Sequence, residues 1–553
     1  MSKNLGHLSA RKGLEDNLFD RLGKLSLDSG TPDQEKLKEL GKEFLIGDAN
    51  AFGTATFYDF MKPENKGKKA YVCNGSACMC AGTQEKVTKE LEKHLDASEI
   101  GHMTCLGRCH ENGAFHVNGK NYSAKSESEI ARIIYDDNVP HQDHYHVKSC
   151  CTATLTTDFD GYDVLKDLVQ KVLKMTPDQA LAEVMDSQIR GRGGAGFPMG
   201  IKLKSAKDTP ADIRYVVCNA DEGDPGAYSD RYLMEEQPYM VLFGMLAAGY
   251  AIGSSWGVLY IRAEYPDSPI IIQKAIDKMT ELGLLGKDIL GSGFDFHFKI
   301  IRAQGAYICG EETALLSSIE GQRPEVRIRP PYPTQEGLFG KPTVVNNVET
   351  LAALYYIFKN TGKEYAKLGT EKSKGSKLVS LDGHFNKPGI YEVEMGTPLR
   401  TVIDDLGGGF RMPIKAMHMG GPLGGLVPIS KIDELSIDFE SFSEAGFLLG
   451  HATIVCVPET FPMIDYLEHL FEFTAVESCG KCFPCRLGSK RGQELLTKAR
   501  TETGYQIDME LFTDLLDTLE QGSLCALGGG LPLPVKNALM YFEDELKEYF
   551  TKA

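Results

Sequence analysis

The chain has 553 residues, which is too long for a single hydrophobic core, so we expect several domains. Its 60 basic and 77 acidic side chains give a net charge of −17, which argues against nucleic acid or an anionic membrane surface as a partner. The first residues lack the uninterrupted apolar stretch of a signal peptide, so we expect a cytoplasmic protein. In that compartment the 14 cysteines are expected to bind metals or to take part in redox chemistry rather than to form disulfides.

The N-terminal part of the chain is predicted to hold a helical segment followed by a small cysteine-bearing domain. Residues 1–65 show apolar positions spaced as on one face of a helix. Residues 66–140 begin with the strand-like sequence AYVC, continue through a helical pattern and end near a hairpin signal, GAFHVNGKNYS. The polar residues 136–151 are predicted to form an irregular linker.

The rest of the chain divides into three predicted domains. In residues 152–365 strand-like sequences alternate with helical patterns, which is typical of a parallel sheet covered by helices. Residues 376–457 are predicted to form a β-rich domain around one helix, and residues 461–553 a helical domain around the last four cysteines. The uncharged stretch Tyr239–Ile261 is long enough to cross a bilayer. Pro238 and the turn sequence GSSWG favour instead a buried helix followed by a strand, so we expect no membrane insertion.

The C-terminal domain contains three cysteines with two-residue gaps. Cys479, Cys482 and Cys485 lie in the sequence SCGKCFPCR, and Cys525 follows 40 residues after the last of them. A close trio with one distant thiolate is typical of a [4Fe-4S] cluster. Structural zinc usually takes cysteines in paired knuckles, so zinc and an inert set of buried thiols are the weaker alternatives.

The N-terminal domain contains two short-spaced cysteine pairs. Cys73 and Cys78 lie in CNGSAC, and Cys105 and Cys109 lie in CLGRC. Each pair is on a glycine-bearing loop whose backbone amides can stabilise a negatively charged cluster, which favours a [2Fe-2S] site. The spacing alone also allows zinc.

The other cysteines carry weaker signals. Cys218 and Cys456 lie in apolar strand-like sequences and are predicted to be small buried residues, whereas Cys309 is a candidate for a pocket wall. A group near the predicted linker has the residue types of a metal site, but a solvated linker is the favoured interpretation, and the role of Cys80 stays open. That group consists of His141, His144, His146, Cys150 and Cys151.

Residues 191–200, GRGGAGFPMG, contain the spacing GxGxxG. The loop follows a helical sequence rather than a strand, so it does not match the usual dinucleotide fingerprint. Its glycines would still let the backbone approach a phosphate or a flat ring closely, and Arg192 and Lys202 would add positive charge. A purely structural glycine turn is an equally good interpretation of the loop alone.

Two polar loops follow strand-like sequences of the predicted parallel sheet. One carries Asn219, Asp221 and Glu222, and the other carries Glu311 and Glu312 at the start of a helix. Acidic residues at a helix N-terminus are ordinarily caps. In a parallel sheet, however, both loops would meet the glycine loop at one edge, which would make a polar site for a neutral or cationic ring.

Seven motifs occur in a fixed order between residues 150 and 553. They are GRGGAGFPMGIK, CNADEGDPG, YIRAEYP, GAYICGEETALL, PPYP, NNVETL and SCGKCFPCRLG. Together they resemble the NADH-oxidising flavoprotein subunit of respiratory complex I, of NAD-linked hydrogenases and of formate dehydrogenases. The two N-terminal cysteine pairs resemble the thioredoxin-like [2Fe-2S] subunit of those complexes, here fused to the flavoprotein.

The resemblance implies an α/β multidomain fold. Its parts would be a thioredoxin-like [2Fe-2S] domain, a Rossmann-like FMN- and NAD-binding domain, a ubiquitin-like soluble-ligand-binding β-grasp domain and a C-terminal helical bundle with the [4Fe-4S] cluster. NAD(H) would stack on FMN, with Phe197 and Glu312 near the nicotinamide and with Arg329 and Tyr332 near the adenine. The residues implied or proposed to bind these cofactors are Gly191, Arg192, Gly193, Gly194, Gly196, Phe197, Lys202, Asn219, Asp221, Glu222, Tyr307, Gly310, Glu311, Glu312, Arg329, Tyr332, Asn346 and Asn347.

The implied activity is that of an NAD(H):acceptor oxidoreductase, or diaphorase, subunit. NADH and FMN would exchange hydride reversibly, and single electrons would pass through the clusters with no catalytic side chain. We expect other iron-sulfur subunits as partners, in a soluble electron-bifurcating or NAD-dependent hydrogenase or in a formate dehydrogenase. One alternative is the NADH-input subunit of complex I. Another is a non-catalytic electron-transfer scaffold, which Ser205 favours because KLKS stands where the family often has KWxF.

Overall fold

A computed structural model describes residues 8–27, 32–136 and 138–551 of the chain. The strands of the described residues form three sheets. In chain order they are β1 (Ala70–Cys73), β2 (Ile100–Met103), β3 (Phe115–Val117), β4 (Lys120–Tyr122), β5 (His146–Ser149), β6 (Tyr215–Ala220), β7 (Trp256–Ile261), β8 (His297–Arg302), β9 (Thr343–Asn347), β10 (Ser376–Leu381), β11 (Gly389–Glu394), β12 (Ile414–Met419), β13 (Gly425–Pro428) and β14 (Thr453–Pro458).

The α-helices cover these sheets and make up most of the C-terminal region. In chain order they span Leu18–Leu27, Gln34–Phe44, Asp48–Ala55, Ser76–Cys80, Gln84–Leu91, Glu127–Tyr135, Tyr162–Lys174, Pro177–Ser187, Met199–Asp208, Ser229–Glu236, Pro238–Ile252, Ser268–Glu281, Glu312–Ile319, Pro333–Glu336, Val348–Lys359, Gly362–Tyr365, Leu399–Thr401, Phe439–Glu444, Met463–Glu477, Ser489–Thr501, Met509–Gly522, Ala526–Gly530, Pro532–Tyr541 and Glu543–Leu546. Two π-helical turns, Val402–Leu406 and Pro484–Gly488, extend this set.

The N-terminal cysteine-bearing domain is built on a four-stranded sheet ordered β2-β1-β3-β4. β1 pairs in parallel with β2 and antiparallel with β3. The hairpin between β3 and β4 turns on Asn118 and Gly119, which both have positive φ angles, of 53° and 73°. An Asn-Gly pair is preferred in this turn because it tolerates that conformation, so the predicted hairpin is confirmed.

A four-stranded parallel sheet, ordered β8-β7-β6-β9, forms the centre of the next domain. The helix Pro238–Ile252 packs beside it and is buried on nearly all sides. It begins with proline at its first position and ends at Gly253, whose φ of 71° stops the helix before β7. The predicted buried helix and strand are therefore confirmed. Among the described residues, no helix has the length and apolar character needed to cross a membrane.

The β-rich domain has the strand order β13-β12-β14-β10-β11. β10 and β11 form a hairpin, a helical turn precedes β12, and β10 pairs in parallel with β14. This arrangement is the expected β-grasp fold. The predicted linker is wrong for His146–Ser149, which adds to the sheet edge in parallel with β11. Its side chains are largely exposed, so main-chain hydrogen bonds to an open edge form this strand without an apolar pattern.

The C-terminal region packs as a helical bundle. Buried apolar residues of Met463–Glu477, Ser489–Thr501, Met509–Gly522 and Pro532–Tyr541 form its core. The helix Met509–Gly522 begins where the Asp508 carboxylate accepts the Leu511 N–H at 2.9 Å, which is the ordinary cap of a helix start.

Candidate functional site: a flavin cradle between two cysteine clusters

The four cysteines of the N-terminal domain come together in the interior. All four side chains are buried, and the sulfurs of Cys105 and Cys109 lie 3.3 Å apart. Backbone amides point at the sulfurs: Gly75 donates to Cys73 and Gly107 donates to Cys105, both at 3.4 Å. Such amides stabilise the negative charge of an iron-sulfur cluster.

A further amide reaches this cluster from outside its own domain. Gly226, in the loop after β6, donates to Cys109 Sγ at 3.1 Å. The cysteine site is therefore completed by the parallel-sheet domain. Sequence reasoning missed Gly226 because 117 residues separate it from the cysteine it contacts.

The C-terminal cysteines also gather at one place. Cys479 and Cys485 are buried, and Cys482 and Cys525 are partly exposed. The Ser478 hydroxyl lies 3.3 Å from Cys485 Sγ. Gly528 leaves the space that Cys485 occupies, because a Cβ there would lie 2.6 Å from the cysteine Cβ. Burial raises the pKa of Cys525 to about 12 and that of Cys485 to about 11, and a bound cation would reverse this effect.

The spacing of the sulfurs decides between iron-sulfur clusters and zinc. Among the described residues, no three sulfurs of either set lie within 4.8 Å of one another. One tetrahedral zinc ion with Zn–S bonds of about 2.3 Å would hold its sulfurs about 3.8 Å apart. Neither set therefore has three sulfurs as close together as one tetrahedral zinc ion requires, and the backbone amides directed at Cys73 and Cys105 favour a negatively charged iron-sulfur cluster.

The glycine loop closes on itself before the helix Met199–Asp208. Gly191 donates its N–H to the Phe197 carbonyl at 2.8 Å, and Gly194 and Gly196 have positive φ angles. A Cβ on Gly193 would lie 3.0 Å from the Cβ of Asn347, so this glycine is required by close packing.

Arg190 fastens the glycine loop to the β-grasp domain. Its Nε donates to the Gly196 carbonyl at 2.7 Å, and its Nη1 binds Glu440 at 2.6 Å. The guanidinium also lies over the Phe439 ring, with 4.4 Å between the group and the ring centroid. Arg190 was not among the residues predicted from the sequence, although it directly precedes the loop.

Polar groups at or after the ends of three strands of the parallel sheet lie near this loop, and together with the loop we call them the flavin cradle. Asn219, at the end of β6, donates its amide to the Gly310 carbonyl at 2.7 Å. Asp221 Oδ2 and Asn346 Oδ1 are buried and have no hydrogen-bond partner among the described residues. Burial raises the pKa of Asp221 well above its ordinary value. Buried acceptors without partners are costly unless a ligand donates to them, and the hydroxyl groups of an FMN side chain would fit this need.

Lys202 and Glu312 form the charged side of the same site. Lys202 Nζ lies 2.9 Å from Glu312 Oε2 and 3.0 Å from the Val345 carbonyl. Arg329 Nη1 binds the other Glu312 oxygen at 3.0 Å. Two aromatic side chains of the predicted dinucleotide site, Phe197 and Tyr332, are 48% and 54% exposed. Exposed rings next to charged groups can stack on flat heterocycles.

Several predicted site residues form hydrogen bonds within the protein itself. Glu311 caps the helix Glu312–Ile319 by accepting from the N–H groups of Thr313 and Ala314. The buried Arg192 guanidinium binds the Tyr365 hydroxyl and the Lys374 carbonyl. The Glu222 carboxylate is buried among backbone N–H groups of Asp230 and Arg231. Asn347 caps the helix Val348–Lys359.

Tyr307 connects the flavin cradle with the C-terminal cluster region. Its hydroxyl donates to Asp224 at 2.7 Å, and its ring packs edge-on against Phe473 with centroids 4.9 Å apart. Its backbone N–H donates to the Glu477 carboxylate at 2.9 Å. Glu477 lies two residues before Cys479, so one short segment links the cradle to the cluster ligands.

The residues near the predicted linker are not gathered into a metal site in the described part of the chain. His141 pairs with Asp267 at 3.0 Å, whereas the sulfurs of Cys150 and Cys151 lie against the Glu392 carbonyl. Cys218, Cys309 and Cys456 are buried. Cys80 is also buried, beside the helical bundle.

The regions of the chain that carry this site are similar to known protein families. Three family models match the chain: a thioredoxin-like [2Fe-2S] ferredoxin over residues 13–137, the Nuo51 FMN-binding domain over 184–356, and the NADH-ubiquinone oxidoreductase-F iron-sulfur binding region over 465–549. The three matched regions contain both cysteine sets, the glycine loop and the polar loops described above. The fold and the site thus define an iron-sulfur flavoprotein.

Individual relatives extend the likeness to nearly the whole chain. The NADP-reducing hydrogenase subunit HndC of Solidesulfovibrio fructosivorans is 43% identical over 70% of this chain and 79% of its own length. The NAD-reducing hydrogenase HoxS subunit alpha of Cupriavidus necator is 31% identical over 95% of this chain and 91% of its own length. A crystal structure of an NAD+-reducing [NiFe]-hydrogenase in the H2-reduced state superposes with a TM-score of 0.86, at 27% identity, over 97% of this chain and 93% of that one.

The chain therefore belongs to the family of NADH-oxidising flavoprotein subunits shared by complex I and NAD-linked hydrogenases. It is an FMN-dependent NADH dehydrogenase, or diaphorase, subunit with [2Fe-2S] and [4Fe-4S] sites. The fold class and the cofactors predicted from the sequence are confirmed.

Proposed function

We propose that this chain is the NADH-input subunit of an NAD-linked hydrogenase complex. The observation that carries the proposal is the fusion of the thioredoxin-like, flavin and [4Fe-4S] regions in one chain. The HoxS alpha subunit is similar over 95% of this chain, so its likeness includes the fused N-terminal domain. A formate dehydrogenase, a complex I or an electron-bifurcating complex would use the same subunit chemistry, and identification of the partner subunits distinguishes these complexes.

In this proposal the polar cradle binds FMN. FMN held there would supply the exchange between two-electron chemistry with a reduced nicotinamide and single-electron transfer. The glycine loop allows the backbone to approach the flavin, and Lys202 supplies positive charge for its phosphate. Asp221 and Asn346, whose buried oxygens have no partner among the described residues, would hold the flavin side chain by accepting hydrogen bonds from it. The other residues proposed to hold the flavin are Asn219, Tyr307 and Gly310, of which Asn219 donates to the Gly310 carbonyl.

The exposed aromatic surface is proposed to bind the dinucleotide. Phe197 and Glu312 would lie near the nicotinamide, and the Tyr332 ring would be available to stack against the adenine. Arg329 is fixed by Glu312 and offers its remaining N–H groups to a ribose or a phosphate. Ser205 stands where the family often has an aromatic residue. Its hydroxyl donates to Thr334 Oγ1 at 2.8 Å, so a hydrogen-bonded pair takes part of the place of that aromatic side chain.

The C-terminal cluster region is proposed as the electron exit to a partner iron-sulfur subunit. Apolar side chains next to two cysteine ligands face solvent: Phe483 is 74% exposed, and Leu487 and Leu524 are exposed as well. Exposed apolar side chains that are grouped on one part of the surface are typical of a protein interaction site. A Phe483→Asp variant should lose its partner subunits during purification, whereas Tyr135→Asp, at an exposed aromatic residue of the thioredoxin-like domain, should keep them.

Flavin content and diaphorase activity test the function directly. Purified protein should release FMN on heating and should reduce an artificial dye with NADH. Protein that contains its cluster iron but stays flavin-free after reconstitution with FMN would favour the scaffold alternative.

Native mass spectrometry of the purified assembly identifies the complex. Hydrogenase subunits are the expected partners, and a quinone-reducing assembly in the membrane fraction would contradict the proposal. The cytoplasmic location expected from the sequence stays a prediction, which the same cell fractionation tests.

A further inference from the structure

A buried histidine of the β-grasp domain reaches into the flavin domain. His451 lies in the turn before β14 and is 5% exposed. Its Nε2 is 3.3 Å from Asp230 Oδ2, at the start of the helix Ser229–Glu236. Its Nδ1 is 3.9 Å from Glu222 Oε1, in the loop after β6. The ring therefore bridges two carboxylates of another domain.

Asp230 in turn holds a residue of the flavin cradle. Asp230 Oδ2 accepts the Asn347 amide at 2.6 Å. Asn347 packs beneath the glycine loop, since a Cβ on Gly193 would lie 3.0 Å from the Asn347 Cβ. A Cβ on Gly194 would lie 3.7 Å from Gly450, directly before His451. A continuous chain of contacts thus runs from His451 through Asp230 and Asn347 to the loop.

The same three residues have the spacing of a metal site, which the hydrogen bonds argue against. Glu222, Asp230 and His451 each place one ligating atom within 4.8 Å of the others. Glu222 already accepts from the N–H groups of Asp230 and Arg231 and from the Tyr265 hydroxyl. The remaining unpartnered atoms in this group are Asp230 Oδ1 and His451 Nδ1. Two free ligand atoms are too few to complete a metal site. A protonated imidazole instead balances the buried negative charge of the two carboxylates.

The charges that face His451 favour its protonated form. Burial by itself lowers the pKa of His451, but the Asp230 carboxylate outweighs burial, and the pKa rises to about 9. Glu222 and Asp224 add negative charge, and burial raises the pKa of Glu222 to about 7. Lys377 opposes the effect and is itself paired with Glu349.

We infer that His451 is a positioning residue of the flavin site: its imidazolium holds Asp230, which orients Asn347 and thereby fixes the glycine loop for FMN. This inference rests on the proposed FMN site. It gives the β-grasp domain a role in the cradle without a ligand of its own.

The matched variants are His451→Gln and His418→Gln. His418 is also a buried histidine of the β-grasp domain, but its ring bonds Tyr466 and Gly424, which lie outside the glycine loop. In protein stripped of flavin and reconstituted, H451Q should raise the Kd for FMN about tenfold, because a hydrogen bond to a charged group is lost. H418Q should leave the Kd unchanged, and both variants should keep the iron content of the wild type.

The pH profile separates positioning from packing. A group with a raised pKa contributes fully below its ordinary pKa and loses its contribution as the pH rises through the raised value. The wild-type Kd for FMN should therefore rise as the pH passes through about 9. H451Q should lack this rise, and H418Q should keep it, because burial lowers the pKa of His418 to about 4 and leaves it neutral.

Two results would overturn the inference. One is an H451Q protein with the wild-type Kd and pH profile. The other is a wild-type Kd that stays unchanged from about pH 7 to about pH 10, which needs no variant and holds even if H451Q fails to fold. If the wild type binds no FMN at all, the proposed function fails instead. Amide hydrogen exchange of residues 191–197 in flavin-free protein then decides the inference, which requires faster exchange in H451Q than in H418Q.

Discussion

The Glu477 carboxylate accepts the backbone N–H of Tyr307 at 2.9 Å and so joins the two redox regions of the molecule. Glu477 ends the helix Met463–Glu477, two residues before Cys479, the first cysteine of the C-terminal set. Tyr307 begins the turn that carries Gly310 into the flavin cradle. A displacement of one region would therefore move the other.

Replacing Glu477 by alanine should remove this hydrogen bond and weaken the contact between the two regions. The Tyr307 N–H would lose its partner in a buried place, at a cost of about 1–3 kcal/mol. We expect FMN to dissociate more readily from the variant, as measured by fluorescence of the released flavin. Glu472→Ala, on an exposed position of the same helix, is the control. Equal flavin retention in both variants would show that the hydrogen bond does not support the cradle.

Tyr332 tests the dinucleotide surface. Tyr332→Ala removes the exposed ring and should raise the KM for NADH about threefold to tenfold with a small effect on kcat, because stacking contributes about 0.5–1.5 kcal/mol. Tyr332→Phe keeps the ring and should behave like the wild type. Steady-state kinetics with an artificial dye measure both constants. A loss of kcat at unchanged KM would place the ring elsewhere in the reaction.

A substitution of Asp143 tests the ion pair between the linker segment, residues 136–151, and Arg231 of the flavin domain. Burial alone would raise the pKa of Asp143, but the hydrogen bond to His110 and the charges of Arg231 and Arg108 hold it far below its usual range. Asp143→Asn would leave buried Arg231, which binds this carboxylate at 2.5 Å, without its close counter-charge. The expected loss is about 3 kcal/mol of local stability, seen as a lower unfolding temperature and faster proteolysis.

The pH dependence of this loss of stability follows from the direction of the Asp143 pKa shift, which is downward. A depressed carboxyl pKa contributes fully above the ordinary value near 4 and fades only as the pH falls below it. The deficit of Asp143→Asn should therefore be the same at about pH 6 and about pH 8. Asp158→Asn, at an exposed neighbouring position, serves as the control. A deficit that disappears at the higher pH would contradict the assigned charge.

Cys482 tests the assignment of the C-terminal cluster. Cys482→Ser should abolish the low-temperature spin-resonance signal of the reduced [4Fe-4S] cluster and lower the iron content, because one of four thiolate ligands is lost. Reduction of FMN by NADH should persist. Cys150→Ser changes an exposed cysteine outside both sets and should alter neither property. An unchanged signal in Cys482→Ser would remove Cys482 from the ligand set.

Local sequence signals predicted much of this molecule. Asn118 and Gly119 indicate a hairpin because their preferred backbone conformation matches the turn. The cysteine spacings and the glycine loop are likewise short-range patterns, and a parallel sheet brings the polar loops after its strands to one edge. These signals depend on neighbouring residues or on one simple rule of topology, so a single sequence contains them.

Contacts between distant residues escaped prediction. His451 meets Asp230 across 221 residues, and Gly226 meets Cys109 across 117. No rule based on the spacing of residues along the sequence predicts such pairs, because they depend on how whole domains pack together. The edge strand His146–Ser149 was missed for another reason. Its pairing uses backbone groups, and its exposed side chains carry no alternating pattern.

The central claim is that one chain joins a flavin, reduced by NADH, to its own iron-sulfur clusters. Anaerobic titration of the purified subunit with NADH tests it most directly, with flavin absorbance and cluster spin resonance recorded on the same samples. The account predicts that the flavin bleaches and that the signal of a reduced cluster appears as NADH is added. Clusters that respond to a strong chemical reductant but never to NADH, in protein with a full flavin content, would contradict it.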